Sequence, residues 1–240
     1  MDWENFFSHI PGFVSQMSTE NPLESELHFD LATVSPTELL NTVRKSHGSA
    51  VSIKITGANG QDFVGAGLRD INDVIVQGTI GDFGFCSFGD AETQVEGNVG
   101  SFFGHSIASG ILVVRGHARH AVGALGMNGL IAILGNAGDR AALGMHGADV
   151  VVRGSVANYA GLGMQNGTLI VGGAAGKHLG HSMRGGSIYL RGEAESISSD
   201  VEENRLREPD RLKIGMLMLK SNIKSAGKEF RVFRPVRDEL

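Results

Sequence analysis

Residues 97–154 read GNVGSFFGHSIASGILVVRGHARHAVGALGMNGLIAILGNAGDRAALGMHGADVVVRG. Glycine recurs in this stretch at a spacing of 19 residues, and the spacing continues on both sides of it. A period near 20 residues is typical of a solenoid, in which each coil buries its apolar face only against neighbouring coils. The full periodic set is Gly78, Gly97, Gly116, Gly135, Gly154, Gly173 and Gly192.

One interval of this repeat predicts the shape of a coil. An apolar triplet such as Val150-Val151-Val152 is β-branched and too short for a helix, so it predicts a short strand whose first and third side chains face inward. The recurring glycines indicate sharp corners, because glycine adopts positive φ without a steric penalty. The regular Leu and Asn positions of a leucine-rich repeat are missing. We therefore predict an all-β fold, a right-handed parallel β-helix with two or three short strands in each coil, the hand following from the crossover preference.

The sequence on either side of the repeats predicts smaller elements. Ser35-Pro36-Thr37-Glu38 is a capping box that predicts the start of a helix. A second helix is predicted from Asp210 to about Ala226, with Gly227 as its cap. We expect the charged C-terminal region to cover the open C-terminal end of the β-helix. The predicted regions are an amphipathic segment and linker at 1–26, a lead-in strand, helix and strand at 27–56, the β-helix at 57–192 and a C-terminal cap at 193–240.

Composition argues against several classes of protein. Charged residues make up 20% of the chain, the net charge is −5 and no basic cluster stands out, so nucleic-acid binding is not expected. A single cysteine, Cys86, excludes an intrachain disulfide framework and favours a reducing compartment. The sequence has no run of 18 apolar residues, and its acidic start is a poor signal peptide. We expect a cytoplasmic protein that does not associate with a membrane.

Two histidine pairs, His117-x-x-His120 and His178-x-x-His181, have the form of half metal sites. They start three coils and four residues apart, which is roughly 15 Å along the stack at the spacing of paired strands, so they cannot share an ion. Neither pair has a cysteine or a carboxylate nearby at a zinc-like spacing. We interpret them as solvated surface histidines and predict no metal site on this chain.

Other catalytic patterns are also incomplete. The pairs His105-Ser106 and His181-Ser182 suggest a hydrolase, but adjacent strand residues point to opposite faces, and no G-x-S-x-G elbow occurs. Gly65-x-Gly67 lacks the third glycine of a dinucleotide-binding fingerprint. Cys86 lies among phenylalanines and is interpreted as a buried apolar residue, not a reactive thiol. We predict no catalytic and no cofactor-binding residue, and a stand-alone hydrolase is the competing hypothesis.

Two sets of residues are candidate contacts for a partner. Arg140, Tyr159 and His178 occupy the same slot on three consecutive coils, which indicates either a solvated edge or a contact strip for another chain. Near the N-terminus, an apolar stripe at i, i+3, i+4 and i+7 predicts an amphipathic helix that packs on the chain's own coil or docks on a partner. This stripe consists of Trp3, Phe6, Phe7 and Ile10.

The repeat resembles the glycine-repeat (GXGXG) domain at the C-terminal end of the glutamate synthase large chain. The segments Phe29-Asp30-Leu31, Glu38-Leu39-Leu40-Asn41 and Val76-Gln77-Gly78 also fit that domain, and the resemblance covers roughly residues 27–200. Arg119 stands at one of the family's glycine positions, so we expect the chain to bend differently there. Ala142 and Ala157 are further departures. The same domain occurs as a stand-alone subunit in N-methylglutamate synthase-like complexes, and as one of the subunits of formylmethanofuran dehydrogenase and of its formyl-hydrolase relative.

The resemblance implies a scaffold without catalytic residues. In glutamate synthase, the β-helix packs between the glutamine amidotransferase domain and the FMN-dependent synthase domain. We therefore expect a hetero-oligomer with a glutamine amidotransferase-like subunit and an FMN-dependent synthase-like subunit, the latter carrying FMN and an iron–sulfur cluster. The alternative is a scaffold of the kind found in formylmethanofuran dehydrogenase, within a formyl-transferring complex. Two features of the sequence agree with a non-catalytic scaffold. One cysteine cannot ligate an iron–sulfur cluster, and Asp2 follows Met1 where an amidotransferase of this type has its cysteine nucleophile.

Overall fold

The computed structural model describes residues 25–46, 51–223 and 229–236. Within these residues, strands account for most of the regular structure, and two helices accompany them. The elements in chain order are β1 (Ser25–Asp30), α1 (Pro36–Lys45), β2 (Val51–Asn59), β3 (Asp73–Thr79), β4 (Glu92–Glu96), β5 (Ile111–Val114), β6 (Leu130–Ile133), β7 (His146–Val152), β8 (Asn166–Val171), β9 (Ser187–Leu190), β10 (Val201–Asn204), α2 (Glu208–Lys220) and β11 (Arg231–Pro235).

All the strands belong to one sheet, whose order follows the chain from β1 to β9 and ends with β11 and β10. Strands β1 to β9 pair in parallel, each with the next along the chain. From β3 to β9 the register shift is 19 residues, as in the aligned partners Leu112, Ile131 and Val150, except at the irregular start of β7, where His146 pairs with Asn166. The predicted parallel β-helix is confirmed, with about seven turns. Its right hand stays a prediction.

The interior of the coils is filled by alternate strand side chains. Leu112, Ile131 and Val150 are fully buried there, as the alternation of the triplets predicted. The polar triplet of β4 is compensated by aromatic residues, because Phe85 and Phe88 are also fully buried and their rings meet edge to face at 5.3 Å. Aromatic side chains therefore keep the interior apolar where the strand itself is weakest.

Each coil contains fewer strands than predicted. Besides its one strand in the sheet, a coil forms an isolated bridge to the next coil, beginning with Ile80, Val99 and Ala118 and continuing to Ala194, and near the last coil a second bridge joins Leu179 to Ile197. The rest of the coil is turns and bends. The prediction of two or three strands per coil was therefore wrong, because the turn segments bond from coil to coil without becoming extended strands, as in Phe102 N–H to the His120 carbonyl at 2.8 Å. The bridges run unbroken through Ala118 and Ala137, so Arg119 does not interrupt the stacking.

The periodic glycines are required for a different reason from the one predicted. Of the seven, all within the described part of the chain, only Gly78 has a positive φ (114°). The others form a column in which consecutive backbones bond directly, as in Gly135 N–H to the Gly116 carbonyl at 2.9 Å. A Cβ added to Gly135 would lie 2.6 Å from that carbonyl oxygen. Close approach of neighbouring coils, not left-handed geometry, excludes a side chain here.

The other two sets of recurring glycines do occupy left-handed corners, as predicted. Gly123 has φ 70° in the middle of its interval, and Gly129 has φ 88° just before its strand. Ala142 takes φ 61° at the slot that Gly123 occupies one coil earlier. The corner geometry is thus kept where the glycine is replaced, at the steric cost that alanine has in this region.

The lead-in helix α1 begins where the capping box predicted. Ser35 Oγ accepts from the Glu38 N–H at 3.3 Å, and the Glu38 carboxylate accepts from the Ser35 N–H at 2.9 Å. The bond from the Ser35 N–H, followed by one from the Ser35 hydroxyl at 2.7 Å, lowers the pKa of the Glu38 carboxylate. Leu39 and Val43 are buried against the first coils, so α1 closes that end of the interior.

The C-terminal region covers the last coil with strands and the side of the sheet with its helix. Strand β11 pairs antiparallel with β9, and β10 pairs antiparallel with β11. Helix α2 instead packs on the outer face of the sheet, where it buries Val151, Ile170 and Tyr189. The expectation that this region covers the open end is therefore correct for the strands and wrong for the helix.

Helix α2 is shorter than predicted. It ends at Lys220, and Asn222 follows in the left-handed region at φ 54°. The Ile223 N–H then bonds back to the Met218 carbonyl at 2.9 Å, which satisfies the last turn. Asparagine can terminate a helix in this way, so the predicted cap at Gly227, which lies outside the described residues, is not needed.

Candidate functional site

One edge of the solenoid is built from tight turns in which alternate residues are left-handed. In the coil that contains β4, Phe83, Phe85 and Ser87 have φ of 57°, 50° and 53°. The same three slots recur at every coil, in both glycine and non-glycine residues. Non-glycine residues are uncommon in this region, so a whole column of them indicates a backbone that the stacking holds in place.

The first of these slots forms a column that we call the aromatic edge, which is exposed at Phe63 and from Arg140 to His178 and is buried at Ala121. Its members have φ between 56° and 60° and follow one another coil by coil. From the sequence, only the C-terminal half of this edge was predicted as a candidate contact. The 19-residue spacing from Phe83 and Phe102 to Arg140 was the available signal. The aromatic edge consists of Phe63, Phe83, Phe102, Ala121, Arg140, Tyr159 and His178.

The N-terminal half of the aromatic edge is a stack of three phenylalanines. The rings of Phe63 and Phe83 are 5.4 Å apart and nearly parallel, and those of Phe83 and Phe102 are 4.9 Å apart. His105 meets Phe102 edge-on at 6.0 Å. The Phe63 side chain is 54% exposed, which leaves one face of the stack open to solvent. Stacked rings of this kind are rigid and give a large contact area.

The C-terminal half of the aromatic edge contains the three predicted contact residues, and two of them are in direct contact. Tyr159 and His178 stack with ring centroids 4.8 Å apart and an interplanar angle of 21°. His181 meets Tyr159 edge-on at 6.1 Å. Arg140 occupies the preceding slot and is exposed. The contact strip for another chain stays a prediction.

The histidines of the first half metal site belong to rows of polar side chains that join the coils. His117 Nδ1 accepts from the Asn136 N–H at 2.9 Å, and His120 Nδ1 accepts from the Asp139 N–H at 3.1 Å. The same bond is made by Asn98 to His117 and by Asp139 to Asn158. These imidazoles are therefore inter-coil acceptors. Among the described residues no group of three or more His, Cys, Asp or Glu could hold a metal ion.

The second histidine pair is organised by Asp200. Its carboxylate accepts from the Ser182 N–H and from the Ser198 hydroxyl, both at 2.7 Å, and His181 Nδ1 lies 3.2 Å from it. These hydrogen bonds, with the nearby His181, lower the pKa of Asp200. His178 instead stacks on Tyr159. The pair thus divides between the aromatic edge and a surface carboxylate.

His105 and Ser106 do not point to opposite faces of a strand, as the sequence predicted. The two residues lie in a turn, not a strand, and Ser106 Oγ is 3.0 Å from His105 Nδ1. Within the described residues, no carboxylate bonds to the other ring nitrogen, which is the arrangement that orients the base in a Ser-His-Asp triad. The pair alone therefore does not make a recognisable hydrolytic centre.

A surface cavity of about 470 Å³ lies over the first coils, between the rows of polar side chains. Its polar lining includes Asp62, Asp82, His117 and Arg119. The carboxylate of Asp62 accepts from the Asp82 N–H at 2.7 Å, and that of Asp82 accepts from the Ser101 N–H at 2.6 Å. These two carboxylates are thus already used to join coils, as is His117, whose bond to Asn136 is described above.

Cys86 is half-buried and lies between Phe85 and Ser87 in one of the turns with left-handed residues. Burial raises the pKa of its thiol, opposed by a hydrogen bond to its own backbone. A raised pKa lowers the fraction of the reactive thiolate at neutral pH. The environment therefore agrees with the interpretation of Cys86 as an unreactive side chain.

The predicted N-terminal stripe lies outside the described residues, so Trp3, Phe6, Phe7 and Ile10 have no assigned position here. Within the described part of the chain, no helix has the length and apolar character needed to cross a membrane.

Comparison with known proteins agrees with the repeat. Residues 23–230 match the family model described as the GXGXG motif. No curated protein matches the chain. The left-handed slots two residues apart explain such a motif, because glycine at alternate positions accepts this backbone without strain, as at Gly65 and Gly67. The chain belongs to the GXGXG motif family, a domain associated with glutamate synthase-like proteins.

Proposed function

We propose that this chain is a non-catalytic scaffold subunit of a glutamate-synthase-like complex. It bridges a glutamine amidotransferase-like subunit and an FMN-dependent synthase-like subunit. The observation that carries the proposal is the family match across residues 23–230, combined with an aromatic edge that is exposed at both ends of its column. FMN and an iron–sulfur cluster reside on the partner, because the single Cys86 cannot supply a cluster's ligands.

Stacking makes the chain suitable as a spacer. Each coil is joined to the next by strand pairing, by one isolated bridge and by the polar rows, so bending would break several bonds at once. At ~4.8 Å for each coil, the six steps from Phe63 to His178 span roughly 29 Å. A rigid body of that length holds two partner subunits at a fixed separation.

The aromatic edge has the properties of a binding surface. Aromatic side chains and Arg dominate the binding energy of many protein interfaces. The rings of Tyr159 and His178 are already stacked, and Tyr159 is 38% exposed, so little side-chain entropy is lost when a partner covers them. We assign this edge as the contact strip for one partner.

The test is co-purification of the tagged chain from its native host, with mass spectrometry and a flavin absorbance spectrum of the product. We expect a flavoprotein and an amidotransferase in the complex. A Tyr159→Ala/His178→Ala double variant should lose one of them. Arg115→Ala, an exposed residue at the end of β5, is the control and should keep both.

Three results count against the proposal. The isolated chain carries flavin, or it hydrolyses an ester or amide, or the double variant still recovers the full complex. Recovery of formyl-transferring subunits in place of these partners assigns the chain to the alternative complex instead.

A further inference from the structure

Helix α2 is apolar on two opposite faces. Ile214, Leu217 and Met218 are buried against the outer face of the sheet. The opposite face carries an apolar stripe whose members are 59%, 58% and 72% exposed, namely Leu212, Met216 and Leu219. Helices that are apolar all round are normally buried, so this second face indicates a missing contact.

Gly215 shapes this exposed stripe. It lies between Leu212 and Leu219 at i+3, and a Cβ added to it would meet nothing within 4 Å. Glycine is an unfavourable residue inside a helix, and no packing against the rest of the described chain requires it here. It leaves a notch in the stripe into which a large side chain can fit.

We infer that residues 1–12 of the same chain cover this face of α2 through the stripe Trp3, Phe6, Phe7 and Ile10. The N-terminal stripe follows i, i+3, i+4 and i+7, and the exposed stripe of α2 follows i, i+4 and i+7 with Gly215 at i+3. Two helices with this pattern pack along a common seam. The large aromatic residues of one stripe are matched by the Gly215 notch of the other.

Charge complementarity favours this occupant. Residues 1–12 contain two carboxylates, Asp2 and Glu4, and no lysine or arginine. The sequence around α2 is basic, with Arg205, Arg207, Arg211, Lys213 and Lys220. Arg211 pairs with Glu208 at 3.3 Å, Lys213 pairs with Asp149 of β7 at 3.4 Å, and Asp210 is buried, so the available positive charge lies on Arg205, Arg207 and Lys220. Opposite charges beside an apolar seam favour the pairing and fix its orientation.

The chain is long enough for the contact. Helix α2 lies nearest β7, six strands from β1, and this is roughly 29 Å at the interstrand spacing. Residues 13–24 join the stripe to Ser25 at the start of β1. Twelve residues span at most about 40 Å when extended.

Trp3 is the single tryptophan of the chain, so its fluorescence reports the contact directly in the full-length protein. We expect a blue-shifted emission and protection from acrylamide quenching in the monomer. Met216→Lys should raise the quenching constant several-fold, because it places a charge in the seam. Met127→Lys is the matched control, since Met127 is 60% exposed on the β-helix, and it should leave the quenching unchanged.

A second variant separates the contact from loss of folding. Gly215→Leu fills the notch with a side chain that has open space in the described structure. It should expose Trp3 while the circular dichroism of the β-helix is retained.

The inference is overturned if Trp3 of the wild-type monomer is quenched as readily as in urea, or if Met216→Lys leaves its protection intact. Protection that appears only with rising concentration, together with a dimer in sedimentation, assigns the face to a second copy and also overturns it. Protection of Trp3 that appears only when a partner subunit is added assigns the face to that partner and also overturns the inference. None of these results bears on the aromatic edge, so the proposed function is tested separately.

Discussion

His117 Nδ1 accepts a hydrogen bond from the backbone N–H of Asn136, 19 residues ahead, at 2.9 Å. Asn98 makes the equivalent bond to His117, and Asn136 makes it to Ser155. Side chains of different chemistry thus do the same work in consecutive coils, because each places an acceptor one coil away. The imidazole is an acceptor in this row, which is a structural role that a sequence motif for metal binding does not reveal.

The first prediction follows from that row. His117→Asn should keep the bond, because Asn98 and Asn136 already make it in the same slot, and the unfolding midpoint should stay near that of the wild type. His117→Leu should lower the free energy of unfolding by about 1 kcal/mol, the net value of one hydrogen bond. Urea unfolding followed by circular dichroism measures both. Equal loss in the two variants would remove the acceptor role.

The second prediction separates the two reasons for glycine. Gly135→Ala should lower the free energy of unfolding by about 3 kcal/mol, because the new Cβ lies 2.6 Å from the Gly116 carbonyl oxygen and overpacks the column. Gly135→Val should prevent folding. Gly163→Ala should lower it by only about 1 kcal/mol, since Gly163 is left-handed at φ 64° but has open space around it.

Thermal and urea unfolding of the two alanine variants provide the comparison. A larger loss at Gly163 than at Gly135 would mean that backbone conformation, not close approach, limits the column.

The fold was predictable because its signal is repetitive. A spacing of 19 residues fixes the register of the strands, and the alternation of apolar residues fixes the inward face. The role of the periodic glycines was not predictable, because a glycine required by close approach and a glycine required by positive φ look the same in a sequence. In the structure, Gly123 has a positive φ of 70° and Gly135 does not.

The candidate site was predictable only in part. Arg140, Tyr159 and His178 stood out because each is unlike the glycines and alanines around it. Phe63, Phe83 and Phe102 were not assigned to the same edge, since phenylalanine equally predicts interior packing, and Phe85 two residues away is fully buried. The exposed face of α2 was missed because an apolar helix of mixed pattern does not show which side faces solvent.

The third prediction concerns a buried polar atom. Thr93 in β4 points into the interior, beside Val74 and Leu112, and is 3% exposed. Its hydroxyl oxygen has no hydrogen-bond partner among the described residues. Thr93→Val keeps the shape of the side chain and removes the unpaired group, so it should raise the free energy of unfolding by about 1 kcal/mol. Thr79→Val on the exposed end of β3 is the control, and an equal gain there would indicate a general effect of valine in strands.

The last prediction concerns how the C-terminal region is attached. The Tyr189 hydroxyl donates to Asp210 Oδ1 at 2.8 Å, and Arg234 forms an ion pair with the same oxygen. These bonds join β9, α2 and β11. Burial, followed by the hydrogen bond to Asp210 and its negative charge, raises the pKa of Tyr189 to about 12. Burial alone would raise the pKa of Asp210, but bonds from the Arg207 N–H and Tyr189 and the charge of Arg234 together hold it below its ordinary value.

The signs of these shifts set two pH windows. A raised Tyr189 pKa means that the unfolded chain loses its proton first, so this contribution to stability is complete below about pH 10 and declines as pH rises toward 12. A lowered Asp210 pKa gives stability that is present above its ordinary value of 3.8 and is lost as pH falls below it. Tyr189→Phe should lower the free energy of unfolding by about 1–3 kcal/mol at neutral pH, because Asp210 loses a buried donor. It should also flatten the alkaline decline. Urea unfolding of the wild type and of Tyr189→Phe, followed by circular dichroism from neutral pH to about pH 12, measures both effects. If the free energy of unfolding declines equally in the two proteins at alkaline pH, Tyr189 is not the titrating group that attaches α2.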